Sequence, residues 1–244
     1  MDSGYYAAYS GLLARSEALD SAASNLSNAN TTGFRAEREY FRGAVMGPHA
    51  LESQLNRTVN DFGVLGGNQL SLSQGALTNT GNALDLAIEG QGFFAIQTKT
   101  GIRYTRDGAF LRATNGTLTT LAGEAVMSAQ GKPLLLPPGE ISIGSDGAVS
   151  VAGGVAGQIG VYSFANVTDL TPEGTNRYVA AQSAKPVLSK ASLHQGALES
   201  SNQDVIQGSL QMILVQRQAE MMQKALSIFH TDFDKTASED LPRV

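Results

Sequence analysis

Leu84-Asp85-Leu86-Ala87-Ile88 runs through Gly90-Gln91-Gly92 into Phe93-Phe94-Ala95-Ile96. Short apolar alternations punctuated by turn residues predict β-strands, and Gly90-Gln91-Gly92 reads as a hairpin link between two of them. The same texture extends from about Gln74 to Ala181. Asp107-Gly108, Asn115-Gly116 and Asp146-Gly147 are hairpin-type dipeptides, because Asn, Asp and Gly tolerate the positive φ that such turns require. Ile141-Ser142-Ile143 and Ala148-Val149-Ser150-Val151 flank the last of them. Strands spaced by turns every ~8–12 residues predict an all-β sandwich or barrel-like body.

Outward from that body the period changes. From Ser3 to about Asn28, Tyr5, Tyr9, Leu12, Ser16, Leu19, Ala23 and Leu26 recur alternately four and three apart, a heptad seam on an amphipathic helix. Gly33, after Thr31-Thr32, is its stop signal. The helical period returns from Ser201 to about Phe233 with two stripes. Leu210, Leu214, Met221, Ala225 and Ile228 make one; Val215, Met222, Leu226, Phe229 and Phe233 make the second beside it. Together they form an apolar arc broader than one partner helix covers, with Gln216, Glu220, Gln223 and Lys224 on the remaining face. The tail from Ser238 to Val244 reads as frayed. Between the first helix and the body, Gly43, Gly47-Pro48, Gly63 and Gly66-Gly67 break up an extended connector with room for one short helical stretch.

The expected fold is therefore mixed, mainly β with terminal helices: a discontinuous α-helical coiled-coil layer from both chain ends plus a central all-β body. Its parts are the N-terminal helix in residues 1–36, the connector in 37–73, the β body in 74–194, and a closing strand or turn with the C-terminal helix in 195–244. Gln74-Gly75-Ala76-Leu77 opens the body and Gln195-Gly196-Ala197-Leu198 closes it. The echo predicts two related strands side by side where the chain enters and leaves.

Composition narrows the function. Of 244 residues only 16% are charged, against about a quarter in ordinary globular chains. The surface must then rest on Ser, Thr, Asn, Gln, Gly and Ala, which repel neighbours weakly. A net charge of -5 argues against a nucleic-acid binder. The absence of cysteine removes disulfides, thiolate metal sites and cysteine nucleophiles. His49, His194 and His230 are too scattered for a metal site. Runs such as Leu134-Leu135-Leu136 and Ile213-Leu214-Val215 fall far short of a membrane span. Met1 to Tyr6 show no basic region followed by an apolar one, so no cleaved secretory signal is expected, and the cytoplasm is the default without a specialised export route.

Asp85, Glu89 and Asp107 are candidate paired acids for a cell-wall hydrolase on a β scaffold. Asp107 is better explained by its turn and Asp85 by a local cap, and no base, nucleophile and orienting partner assemble in the sequence. Gly90-Gln91-Gly92 lacks the third glycine of a dinucleotide fingerprint. No catalytic, cofactor-binding or metal residue is predicted. His194 reads as a surface residue, and Arg106 as a structural ion pair with Asp107.

Four blocks resemble a known family. Ala23-Ser24-Asn25-Leu26-Ser27-Asn28-Ala29-Asn30-Thr31-Thr32-Gly33-Phe34-Arg35 is similar to the signature that bacterial flagellar rod and hook proteins carry after their first helix, with Ser24 and Ser27 standing where Asn and Ala are commoner. Gly81 to Phe94 resembles the central motif of that family, Tyr104-Thr105-Arg106-Asp107-Gly108-Ala109-Phe110 another hallmark, and Gln195 to Asn202 the block preceding its C-terminal helix. In order, they cover nearly the whole chain.

The resemblance implies a non-enzymatic structural subunit of the basal-body rod. In that family the terminal helices pair in an inner coiled-coil layer lining the export channel, the β body lies outside, and subunits stack as a helical tube. Export by the flagellar type III apparatus without signal cleavage, to a rod in the periplasmic space, then replaces the cytoplasmic default. The implied partners are copies of the chain, other rod proteins and that apparatus, with no nucleic acid, membrane span, cofactor or small-molecule substrate. The body runs without a large insertion from Tyr104 to the second helix, which fits the proximal-rod type; the distal-rod type is the alternative, and a soluble coiled-coil adhesin a third possibility. Assembly is expected to use Tyr5, Tyr9, Leu12, Leu19 and Leu26 on the first helix. Leu210, Leu214, Val215, Met221, Met222, Leu226 and Phe229 would serve on the last, and Asn25, Asn28, Thr31, Gly33 and Phe34 in the motif that sets the chain's exit from the helix.

Overall fold

The computed structural model of the chain describes residues 2–43 and 63–239. Strand outweighs helix, 37% to 24%, so the protein is mainly β with a helix at each end, as expected. The described residues fall into two compact units. One contains α1 (Asp2–Ser27) up to Leu26, the ribbon of β1 (Glu37–Gly43) and β2 (Gly63–Leu70) up to Gln69, and α2 (Val205–Glu239); the other is formed by residues 27–36 and 70–204. The expected extended connector thus includes two paired strands. Its short helical stretch and Gly47-Pro48 lie outside the described residues, as does the end of the tail.

In the helical unit, α1 turns small residues inward. Ala14, Ala18, Ser21, Ala22 and Asn25 are buried. With Gly11, all but Ala22 repeat at heptad spacing, one or two residues before the bulkier stripe. Leu12, Leu19 and Leu26 are half-buried and Tyr9 is 55% exposed. Met222 explains the inversion: its Cε lies only 3.1 Å from the position a Cβ on Gly11 would take, so bulk from α2 fills space that small residues of α1 leave. On α2 the two stripes separate. Gly208 and Val215 are buried, and Met212, Ala219, Met222 and Leu226 half-buried, on one heptad face. Leu210, Leu214, Met221 and Ile228 lie on the other at 58–62% exposure. The side chains of Tyr5, Phe229 and Phe233 lie outside the described residues.

The body is built around β5 (Phe93–Thr98). Phe93, Phe94, Ala95 and Ile96 are all buried because the two faces of the strand meet different cores. Phe94 and Ile96 point into the larger cluster with Leu86, Ile88, Phe110, Leu118, Val126, Val149 and Val161. Phe93 and Ala95 face the second cluster with Leu70, Tyr104, Met127, Leu170 and Tyr178. A continuous apolar run is what a strand covered on both faces requires.

β5 pairs antiparallel with β6 (Gly101–Thr105), β9 (Ala125–Val126) and β13 (Val161–Ser163). The sheet extends through β6 to β15 (Arg177–Ala180) and β14 (Leu170–Pro172), and through β9 to β8 (Leu118–Thr120) and β7 (Phe110–Arg112); β16 (Val187–Leu188) pairs with β13. A second sheet is the meander β10 (Ile141–Ile143), β11 (Ala148–Val151) and β12 (Gly154–Gln158). The Asn115-Gly116 and Asp146-Gly147 turns close β7–β8 and β10–β11, with φ of +84° at Gly116 and +82° at Gly147.

Two expected hairpins are absent. β4 (Leu86–Glu89) pairs with β17 (Ser192–Gln195), so Gly90-Gln91-Gly92 is a bend that hands the chain from one sheet to another. Asp107-Gly108 lies between β6 and β7, which do not pair. Gly108 instead brings its backbone against β4, accepting a bond from Leu86 N at 3.0 Å where any Cβ would collide with the Leu86 carbonyl. The sequence echo does correspond to paired strands: β3 (Leu77–Asn79) pairs antiparallel with β18 (Ala197–Glu199), with Leu198 opposite Thr78.

Candidate functional site

The echoed glutamines do the same work twice. Gln74 donates Nε2 to Ile88 O and accepts Gly90 N on Oε1, both at 3.0 Å. Gln195 donates to Ile141 O at 3.0 Å and accepts Ile143 N at 3.1 Å. Each side-chain amide thus stands in for one residue of a neighbouring strand and satisfies a donor and an acceptor that a sheet edge leaves open.

A buried charged node sits at the end of β18. Glu199 is 1% exposed and ends β18. Its Oε1 lies 2.8 Å from Arg35 Nη2 and accepts Gly75 N at 2.9 Å, while its Oε2 accepts Arg106 Nη1 at 2.9 Å. Arg106 Nη1 also donates to Ile88 O at 3.0 Å, its Nη2 donates to Gly90 O, and its guanidinium stands 5.5 Å from the Phe93 ring centre. Arg35 Nη1 donates to Ser73 O, and Arg35 N to the Tyr178 hydroxyl at 3.1 Å. Burial pulls the Arg106 pKa down to about 10, the Arg35 charge adding to the effect and Glu199 opposing it.

Backbone joins the same three passages of chain. Gly33 N donates to Glu199 O at 2.8 Å and Asn202 N to Phe34 O at 3.3 Å, so the segment after α1 and the segment before α2 lie bonded together. Asn202 ties in the segment between β2 and β3: Ala36 N donates to its Oδ1 at 2.7 Å, and its Nδ2 donates to Ser71 O and Ser73 O at 3.0 and 2.9 Å. Gly33 holds φ at +67°, and a Cβ there would strike the backbone of Asp107. Phe34 is buried. Thr31 donates N and Oγ1 to Asn28 O and Oδ1, closing a turn at the end of α1. Asn25 reaches further: its amide exchanges two bonds with the Glu37 backbone, at 2.7 and 2.9 Å.

All four motif blocks contribute to this gathering, but its charged members were missed by the sequence reading. Arg106 pairs with Glu199 and not with the adjacent Asp107, so it is a buried charge and no surface ion pair. The available signal was weak: the motif blocks of this charge-poor chain hold six charges, Arg35, Asp85, Glu89, Arg106, Asp107 and Glu199, and nothing local singles out the three that meet. Asp107 instead accepts Asn176 Nδ2 at 3.0 Å and Ala109 N at 3.1 Å, and burial raises its pKa. Asp85 accepts Thr80 Oγ1 at 2.6 Å and Asn82 Nδ2 at 3.0 Å. The oxygens of Asp85 are thereby engaged by its own loop, and those of Asp107 by its own turn and by Asn176. His194 is exposed on β17 and lies 2.6 Å from Glu89 on the adjacent strand. Among the described residues no group of acids and histidines is placed to hold a metal, and no helix is long and apolar enough to cross a membrane.

The segments that follow α1 and precede α2 are thus gathered at one buried node within the β unit. Residues 6–35 match the family described as flagella basal body rod protein, and residues 87–151 match the flagellar hook protein FlgE/F/G D1 domain. The flagellar basal-body rod protein FlgF of Mesorhizobium japonicum is 35% identical over 90% of each chain, and that of Caulobacter vibrioides 35% over 93% of each. The rod protein FlgG of Bacillus subtilis is 33% identical over 87% of this chain and 89% of its own. The chain belongs to the flagellar basal-body rod protein family.

Proposed function

We propose that this chain is a non-enzymatic structural subunit of the proximal rod, of the FlgF type, polymerising with other axial proteins into the tubular drive shaft of flagellar motility. The observation that carries the assembly role is the division of α2 into an inward stripe through Val215 and Met222 and an exposed one through Leu210, Leu214, Met221 and Ile228. Exposing a long apolar stripe is costly unless another surface covers it. A subunit meeting neighbours through unlike faces generates an open helical filament. The names of the relatives place FlgF before FlgG as the type. Export by the flagellar type III apparatus without signal cleavage, and residence in the periplasmic space, belong to the same proposal.

Leu214→Glu with Met221→Glu tests it. The pair is expected to leave the purified subunit folded, within about 0.5 kcal/mol of wild type, while removing it from isolated basal bodies and abolishing motility. Normal incorporation of the double variant would overturn the assembly role. Density for the chain in the distal tier of a purified basal body would replace the FlgF type by the FlgG type. Delivery of a chain lacking residues 2–36 would overturn the export route.

A further inference from the structure

The node carries more positive charge than it neutralises. Arg35 and Arg106 share the single carboxylate of Glu199, and all three side chains are at most 3% exposed. Arg106 Nη1 and Nη2 are engaged, yet Nε is buried and has no hydrogen-bond partner among the described residues. In a guanidinium, Nε–H shares an edge with Nη2, and Nη2 here meets Gly90 O. The Nε–H is therefore aimed along the Gly90-Gln91-Gly92 bend. On that side a cavity of about 20 Å³ is lined by Arg106, Phe93, Phe164, Leu72, Ser163 and Asn166, with no carboxylate among its walls. Its size suits one water-sized particle and excludes a polyatomic solute. An orphaned buried N–H on a charged group is costly, and a surplus buried charge costs more.

We infer that this cavity binds a single halide-sized anion on Arg106 Nε, which satisfies the orphaned donor and neutralises the surplus charge of the Arg35–Glu199–Arg106 node. A water could satisfy the donor but would leave the charge. Asn166, an exposed residue, belongs to the wall of this cavity and takes no part in the node.

Two measurements on the full chain test this. Crystals soaked in bromide should show an anomalous peak within hydrogen-bonding distance of Arg106 Nε; a water there, with no bromide signal, overturns the inference. Melting in chloride should rise about 2–4 °C above melting in gluconate, too large for the cavity, at matched ionic strength up to about 300 mM. Asn166→Leu, which puts an apolar side chain into the cavity wall without touching the node, should erase that difference, as should Arg106→Lys where it folds. An equal response to both anions in the wild type, or an undiminished chloride effect in Asn166→Leu, also overturns it.

Discussion

Replacing Glu199 by glutamine keeps the shape of the side chain and removes its charge, leaving two guanidiniums in the protein interior without a counter-ion of the protein's own. Three contacts at 2.8–2.9 Å are affected: to Arg35, Arg106 and Gly75 N. Removing one partner of a buried ion pair costs about 3–5 kcal/mol, out of a total stability of about 5–15 kcal/mol for a domain. At about 2–4 °C per kcal/mol for a chain of this size, melting should fall by about 6–20 °C. Circular dichroism or calorimetry of the purified chain measures it. Arg106→Met and the double variant Glu199→Gln/Arg106→Met complete a cycle whose coupling isolates the pair. In the double variant one of the two orphaned guanidiniums is gone and only Arg35 is left without its partner, so its loss should fall below the sum of the single losses. A loss under about 1 kcal/mol for Glu199→Gln, or additivity within about 0.5 kcal/mol, would refute the reasoning.

Three further outcomes are expected. Gly33→Ala places a Cβ at a φ of +67° and against the Asp107 backbone, and should cost at least about 2 kcal/mol in urea unfolding. Gln195→Leu leaves Ile141 O and Ile143 N unpaired and should cost about 1–3 kcal/mol, with faster amide exchange in β10 and β11. For Asp107 the pKa is raised above 3.8 in the folded state. The folded chain therefore binds more protons than the unfolded one between 3.8 and that raised value, and this group's contribution falls as pH rises through the window. Asp107→Asn should lack that decline, so the wild type should compare best with the variant near and below pH 4 and worst near neutrality; a pH-independent difference between them would contradict the assignment.

Local pattern made much of the fold legible. The helices at both ends followed from their apolar period, and the β7–β8 and β10–β11 turns from Asn115-Gly116 and Asp146-Gly147, because these signals act within a few residues of one another. The pairing of β3 with β18 was legible from the repeated Gln-Gly-Ala-Leu, although it joins distant segments. Bulk misled on α1: the side chains that pack inward are small, since Met222 of α2 supplies the volume. Asp107-Gly108 and Gly90-Gln91-Gly92 carried the composition of hairpin turns, yet served close approach and a change of sheet. Which of these a glycine serves depends on what lies across from it.

The sequence by itself determined that the chain is helix, β body and helix, with too few charges and no cysteines to rely on ionic or covalent ties at its surface. Only the tertiary structure decided that three of those scarce charges are buried together. Arg35, Arg106 and Glu199 belong to separate motif blocks, and no periodicity or spacing relates them. They meet because the pairing of β3 with β18 and the approach of Gly108 to β4 close the intervening chain into one body. In that low-dielectric interior a charge must find its partner, which fixes how the segments next to both helices are held.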